Sequence, residues 1–185
     1  MAFFHRTLTG LACALMLALA APMVTSMAAQ AQDKENTLYL DTQYGRVVIE
    51  LLPDIAPKHV ERIKTLARQG FYDGIKFHRV IDGFMAQTGD PLGNGTGGSD
   101  LPDLKAEFNR YSFTRGVVGM ARSSNPNSAN SQFFIMFADA PWLNGQYTVW
   151  GKVVSGMEFV DKLHKGEPPR NPDVIVKMQV AADAK

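Results

Sequence analysis

The segment Phe77-His78-Arg79-Val80-Ile81-Asp82-Gly83-Phe84-Met85-Ala86-Gln87-Thr88-Gly89-Asp90 places Arg79, Phe84, Met85 and Gln87 within nine residues: a fixed cation, two large apolar side chains and an amide. Short strand candidates lie at 76–80 and 85–88 within it, and others follow at 117–120, 133–137, 148–154 and 174–180. In the last, period-two alternation predicts Val174, Val176, Met178 and Val180 on one face. Upstream, 38–40 and 45–52 flank Tyr44-Gly45 as an opening hairpin, with Val47, Ile49 and Leu51 on one face and Arg46, Val48 and Glu50 on the other.

Only two helices interrupt the strands. Pro57 suits a first helical position, Val60, Ile63, Leu66 and Ala67 form one apolar stripe, Glu61 and Arg68 complement the dipole, and Gly70 offers a left-handed stop. That stripe is expected to cover one open end of a sheet. Ser155-Gly156-Met157-Glu158 has the pattern of a capping box, with Met157, Val160 and Leu163 spaced for burial and Gly166 as the end. Many short strands with two helices that do not alternate with them predict an all-β antiparallel barrel or sandwich rather than a doubly wound sheet.

The chain has 185 residues, 45% apolar and 20% charged, which fits one globular domain with a substantial core. Residues 1–31 differ from the rest: Arg6 is their single charge, and residues 11–21 are an unbroken apolar run too short to span a bilayer comfortably. Ala29-Gln30-Ala31 supplies an Ala-x-Ala cleavage site, so 1–31 reads as a signal peptide cut after Ala31. A lipoprotein signal at Cys13 is the competing reading, but Gly10-Leu11-Ala12 lacks leucine three residues before the cysteine. The expected division is signal peptide 1–31, loose leader 32–36, folded domain 37–182 and tail 183–185. Cleavage removes the sole cysteine, so no disulfide or thiol nucleophile is expected in an exported domain. Without Arg6 the basic residues number 18 against 18 acidic ones, and no bulk charge draws the domain to nucleic acid or anionic lipid.

Loops are expected at 90–102, rich in glycine, and 123–131, rich in asparagine and serine. The first contains Gly93-x-Gly95-x-x-Gly98, formally a dinucleotide fingerprint, but Ser99-Asp100-Leu101-Pro102 follows where a helix would have to begin. The mature histidines are His59, His78 and His164, with no pair at ligand spacing, so no metal is expected. His59 and His164 are read as solvated on charged helix faces and His78 as structural, pointing away from Arg79. No Gly-x-Ser-x-Gly elbow exists.

The remaining constellation has no evident acid, base or nucleophile, which suits a reaction that breaks no covalent bond. Rotation about an Xaa-Pro bond faces a barrier of roughly 20 kcal/mol from lost amide resonance. Twisting localises a lone pair on the prolyl nitrogen, so a guanidinium aimed there binds the rotated state more strongly than either planar form. Arginine stays charged at any working pH and presents several donors in one plane. Reaching millisecond turnover needs about five decades, or about 7 kcal/mol. One donor supplies about half of that, and an apolar, dry ring pocket must supply the rest.

The segment 77–87 resembles the signature of the cyclophilin family of peptidyl-prolyl cis-trans isomerases. Gly119-Met120-Ala121-Arg122 with Asn130-Ser131-Gln132-Phe133-Phe134-Ile135 resembles the family's central block, and Trp142-Leu143-Asn144-Gly145 with Val149-Trp150-Gly151-Lys152-Val153 its last. The similarity runs from Leu38 to Val180. It implies a closed eight-stranded antiparallel barrel capped by two α-helices, packed inside, with an active groove outside. It implies Arg79 and Gln87 as catalytic; Phe84, Met85, Phe134 and Leu143 lining the proline pocket; and Gln132 hydrogen-bonding beside it. Ala121 and Arg122 hold the residues before proline, and Trp142 forms a rim that contributes to cyclosporin binding. Alternation sends Phe133 and Phe134 opposite ways, and motif position assigns Phe134 to the groove. Tyr147 stands where many members carry histidine, and Arg122 where many carry asparagine, so altered substrate preference or cyclosporin affinity is expected.

The reading is an exported, periplasmic, monomeric isomerase without metal or cofactor. It would act on proline-containing segments of secreted proteins and have no stable membrane insertion after cleavage. The alternatives are a proline-peptide binding or chaperone module with incidental turnover, and a hollow barrel holding a small hydrophobic ligand.

Overall fold

A computed structural model describes residues 33–185; the expected signal peptide, its cleavage site and Cys13 lie outside the described residues. Strands β1 (Thr37–Thr42) and β2 (Gly45–Leu51) form the opening hairpin, in register from Thr37↔Glu50 to Thr42↔Gly45. Thr42 braces the turn: its hydroxyl donates to the Gly45 carbonyl at 3.0 Å and accepts from the Tyr44 N–H at 3.1 Å. Val47, Ile49 and Leu51 are buried while Arg46 and Glu50 are exposed, as the alternation requires.

Six more strands follow: β3 (Arg79–Ile81), β4 (Met85–Thr88), β5 (Val117–Met120), β6 (Phe133–Met136), β7 (Val149–Ser155) and β8 (Lys177–Val180). All pairings are antiparallel, in the order β3-β4-β6-β5-β7-β2-β1-β8. The expected closed barrel is corrected by this order. The sheet curls into an open half-barrel, and its end strands β3 and β8 share no ladder.

The seam is crossed by contacts outside a shared ladder: Phe77 N–H donates to the Asp173 carbonyl at 2.9 Å, Ile175 N–H to that of Ile75 at 2.9 Å, and Met178 N–H to the Asp73 carboxylate at 2.9 Å. This docking corrects the reading of 174–180 as one alternating strand. Ile175 turns inward to meet Ile75, Val174 and Val176 are exposed, and regular pairing starts only at Lys177.

Helix α1 (Pro57–Arg68) buries Val60, Ile63, Leu66 and Ala67 as predicted, and Gly70 past its end adopts φ 68°. Its start corrects the solvated reading of His59, which is fully buried. Glu107, from a distant loop, accepts from the Lys58 and His59 backbone N–H groups at 3.1 and 3.0 Å and contacts His59 Nδ1 at 2.6 Å. The free donors of the first turn are thus satisfied by a carboxylate 48 residues away. At the other end Arg68 binds Glu35 and Asp183, both at 2.9 Å. Within the expected leader 32–36, Asp33–Asn36 form a 3-10 turn, and the chain past β8 forms another, Ala181–Asp183. The second helix, α2 (Met157–Val160), is a single turn; Gly156 caps it at φ 88° with no side-chain bond, so the capping box does not form. Ser155 is held in β7 and is not free to cap.

Two apolar clusters lie on opposite faces of the sheet. The inner one joins Leu38, Ile49, Val80, Ala86, Phe133, Ile135, Trp150 and Met178 to the α1 stripe. The outer one gathers Met85, Phe113, Val117, Phe134, Met136, Ala140, Leu143 and Val149. Each fully buried side chain of this size contributes about 1.5–3 kcal/mol by leaving water.

Candidate active site

Strand pairing assembles the site. Arg79 on β3 lies opposite Gln87 on β4, Gln87 opposite Phe134 on β6, and Phe134 opposite Gly119 on β5, one row across four strands. Gly119 is small by necessity: a Cβ there would stand 2.6 Å from Phe113 and 2.7 Å from Phe134, whose rings stack at 5.7 Å. Phe133, the neighbour of Phe134, points into the inner cluster. The split expected from alternation is therefore the one observed.

The row borders a hollow of about 130 Å³ lined by Arg79, Phe84, Met85, Gln87, Ala121, Arg122, Phe134, Leu143 and Tyr147. Nine of the eleven residues singled out from sequence thus converge on one depression. Gln132 borders a larger, polar neighbour of about 470 Å³, also reached by Gln87, Ala121 and Arg122. Trp142 stands on the rim, 65% exposed, with its ring 6.1 Å from that of Phe84. It follows Pro141, the first residue of the 3-10 turn Pro141–Leu143 that carries Leu143 inward.

The two glutamines form a relay rather than a pair around the arginine. Gln87 Nε2 donates to Gln132 Oε1 at 2.9 Å, and Gln132 Nε2 donates to the Gly95 and Gly97 carbonyls at 3.1 and 2.8 Å. The glycine-rich loop they reach is organised by buried Asp90, which accepts from the Leu92 and Asn94 N–H groups at 2.8 and 2.9 Å. Burial pushes the Asp90 carboxyl up, but these backbone bonds outweigh it and hold it below its ordinary range. This is the physical use of the glycines once matched to a dinucleotide pattern: they permit a tight loop around one carboxylate.

Tyr147 packs edge-on to Phe134 at 5.7 Å and lies under the Arg122 guanidinium at 4.5 Å. Arg122 is fixed there by donating to the Gln146 carbonyl at 2.9 Å and the Ser123 carbonyl at 2.8 Å. Arg122 and Tyr147 thus touch, the cation resting on the phenol ring. His78 is buried beside Arg79, and burial pushes its imidazole pKa down. His164, expected on a helix face, instead lies beyond α2, where its N–H donates to the Asp173 carboxylate at 2.7 Å.

Arg79 is half-exposed, and its Nε donates to Glu167 at 2.8 Å. Phe113, Glu107 and Glu167 were not legible as site or support residues, because each comes from a segment without motif and far along the chain. The hollow is smaller than the roughly 300–1,000 Å³ of sites for drug-sized ligands and suits a single small ring. A cation lining it, with apolar walls and an amide beside it, is an arrangement that can grip a short apolar group and polarise what is attached to it.

The comparisons with known proteins agree. Residues 37–180 match the family model for cyclophilin-type peptidyl-prolyl cis-trans isomerases. A Brucella suis protein named "Probable peptidyl-prolyl cis-trans isomerase" is 56% identical over 193 aligned residues, covering 96% of this chain and 97% of that one. A peptidyl-prolyl cis-trans isomerase of Schizosaccharomyces pombe is 41% identical over 128 residues, 67% of this chain and 82% of that one. Among solved structures, a cyclophilin from Hirschia baltica matches with TM-score 0.77 at 30% identity, over 90% of this chain and 83% of that one. A Cryptosporidium parvum cyclophilin-type isomerase, crystallised in the presence of the dipeptide Ala-Pro, matches with TM-score 0.72 at 30% identity, over 78% and 98%. The chain belongs to the cyclophilin-type peptidyl-prolyl cis-trans isomerase family. Its activity is rotation about Xaa-Pro peptide bonds.

Proposed function

We propose that Arg79 drives this rotation while Phe84, Met85, Phe134 and Leu143 hold the proline ring. The observation that carries the reading is that Arg79 and those four side chains line the same hollow. With the ring seated, the prolyl nitrogen lies at the lip, and the terminal N–H groups of Arg79 stabilise its lone pair as the bond twists. No proton changes hands. Gln87 and Gln132 order the polar side of the groove, and the peptide before proline runs past Ala121 and Arg122. An acidic residue there meets a guanidinium that has no carboxylate partner among the described residues, a modest preference at an exposed position. The Ala-Pro dipeptide used with the Cryptosporidium relative supports proline-containing segments as the ligand class. Arg79→Ala is expected to lower kcat/KM for a short Xaa-Pro peptide by about 10²–10³, the usual loss of one transition-state donor. An unchanged rate removes arginine from the mechanism.

The biological setting in this proposal is export: a leader cut after Ala31 delivers a monomeric domain to the periplasm, where it speeds slow prolyl steps in folding secreted chains. Cyclosporin enters the same hollow, with Tyr147 and Trp142 setting its affinity. Sequencing the amino terminus of the protein recovered from its native cell tests export. Gln32 at the start supports it, and an intact Met1 or Ala2 start overturns it.

A further inference from the structure

We infer that Glu167 is the residue that positions Arg79, a role resting on the arginine reading above. In this structure Gln87, directly opposite Arg79 in the ladder, is turned to Gln132, and the one carboxylate on the guanidinium among the described residues is Glu167, at 2.8 Å to Nε. Binding at Nε fixes the plane of the fork without using either terminal amine. An arginine on a short end strand otherwise keeps rotamer freedom that must be lost at each turnover, and a carboxylate already in place removes that cost from the chemical step.

The carboxylate does not arrive there by the drift of a surface chain. Gly166 pairs with Val80, the residue after Arg79, through two backbone hydrogen bonds of 2.8 Å, which clips the incoming segment to the free edge of β3 and sets Glu167 beside Arg79. Gly166 sits at φ 147°, and a Cβ there would come 2.6 Å from Pro169 Cα. Only glycine makes this clip, and Pro168 and Pro169 restrict the chain beyond it. Arg79, Glu167 and Pro168 together wall a second depression, which shares Arg79, Gln87 and Arg122 with the apolar hollow. The cation is therefore held at Nε by one acid while it lines the hollow of the proposed proline site.

The test is a double-mutant cycle on the full chain, with kcat/KM for an Xaa-Pro peptide and peptide Kd measured separately. Both partners are about half-exposed, so Glu167→Ala is expected to lower kcat/KM about fivefold with Kd unchanged, the upper range for a surface pair. Glu167→Gln, which keeps an acceptor for Nε–H, should recover most of that loss. In an Arg79→Ala background both changes should be silent, and the Arg79 Nε–H resonance should lose its protection from exchange in Glu167→Ala alone. Full activity of Glu167→Ala beside a crippled Arg79→Ala overturns the positioning role and leaves the arginine mechanism standing. An equal loss from Glu167→Ala with and without Arg79 overturns it in favour of a purely structural role. Full activity of Arg79→Ala overturns the arginine reading and this inference together.

Discussion

The two faces of β6 are made of the same kind of residue and end in opposite ways. On the inner face Phe133 is fully buried, edge-on to Tyr72 at 5.6 Å and to Trp150 at 5.4 Å, with helix α1 completing the cluster. On the outer face Phe134 is nearly as buried, stacked on Phe113, yet its ring also borders open space. The contrast does not lie in composition. The curled sheet and a helix close over the inner face, whereas loops and a single 3-10 turn cover the outer one and leave one ring-sized gap. The proposed binding site is thus the incompletely covered part of a second core.

The comparison breaks most sharply at Phe133. Phe133→Ala should cost about 3–5 kcal/mol of stability, read from urea titration, as expected for an aromatic lost from a packed core. Phe134→Ala should cost distinctly less, because part of its ring already faces the hollow, while peptide binding collapses. Equal stability losses for the two would erase the distinction between the faces. A smaller change fills rather than empties: Gly119→Ala should destabilise by about 1–3 kcal/mol through overpacking and push Phe134 toward the hollow. A higher KM would accompany the lower urea midpoint, and unaltered kinetics would show that the outer cluster yields elsewhere.

The smallest effect concerns the cover of the inner face. Burial holds the His59 imidazole below its ordinary 6.5 despite the pull of Glu107. Burial pushes the Glu107 carboxyl up, but its bonds from the His59 ring and the Lys58 and His59 N–H groups win and hold it below 4.5. Both groups bind fewer protons when folded than when unfolded, so stability rises with pH through both ranges. It is complete above about pH 6.5, declines below it as unfolded His59 protonates, and declines again as pH falls through the native value of Glu107. The melting temperature should drop between pH 7.5 and 5.5, and His59→Gln should remove part of that drop, with buried His78, also held below its ordinary range, contributing to the remainder.

What could be read from the chain was whatever local periodicity controls. Pro57, the stripe through Val60, Ile63 and Leu66, and Gly70 delimit α1 without help from elsewhere. Alternation alone separated Phe133 from Phe134, and three motif blocks contain eight of the nine residues that meet at one hollow, with Tyr147 lying between two halves of the last. Long-range partners were not legible. His59 looked solvated because nothing near it announces Glu107, and Glu167 lies 88 positions from the arginine it binds. Closure failed for the same reason: whether β3 and β8 share a ladder depends on how the segments before each of them dock, and Ile175 meeting Ile75 shifts the phase that alternation had assigned.

The chain has two tryptophans, and the fold puts one on each face: Trp150 fully buried in the inner cluster, Trp142 at the rim of the groove. Their emission therefore separates two events that a single fluorophore would blur. Iodide reaches Trp142 and is shut off from it by a seated peptide, whereas Trp150 becomes quenchable only when the sheet opens. The protein carries its own pair of optical reporters, one for occupancy and one for integrity.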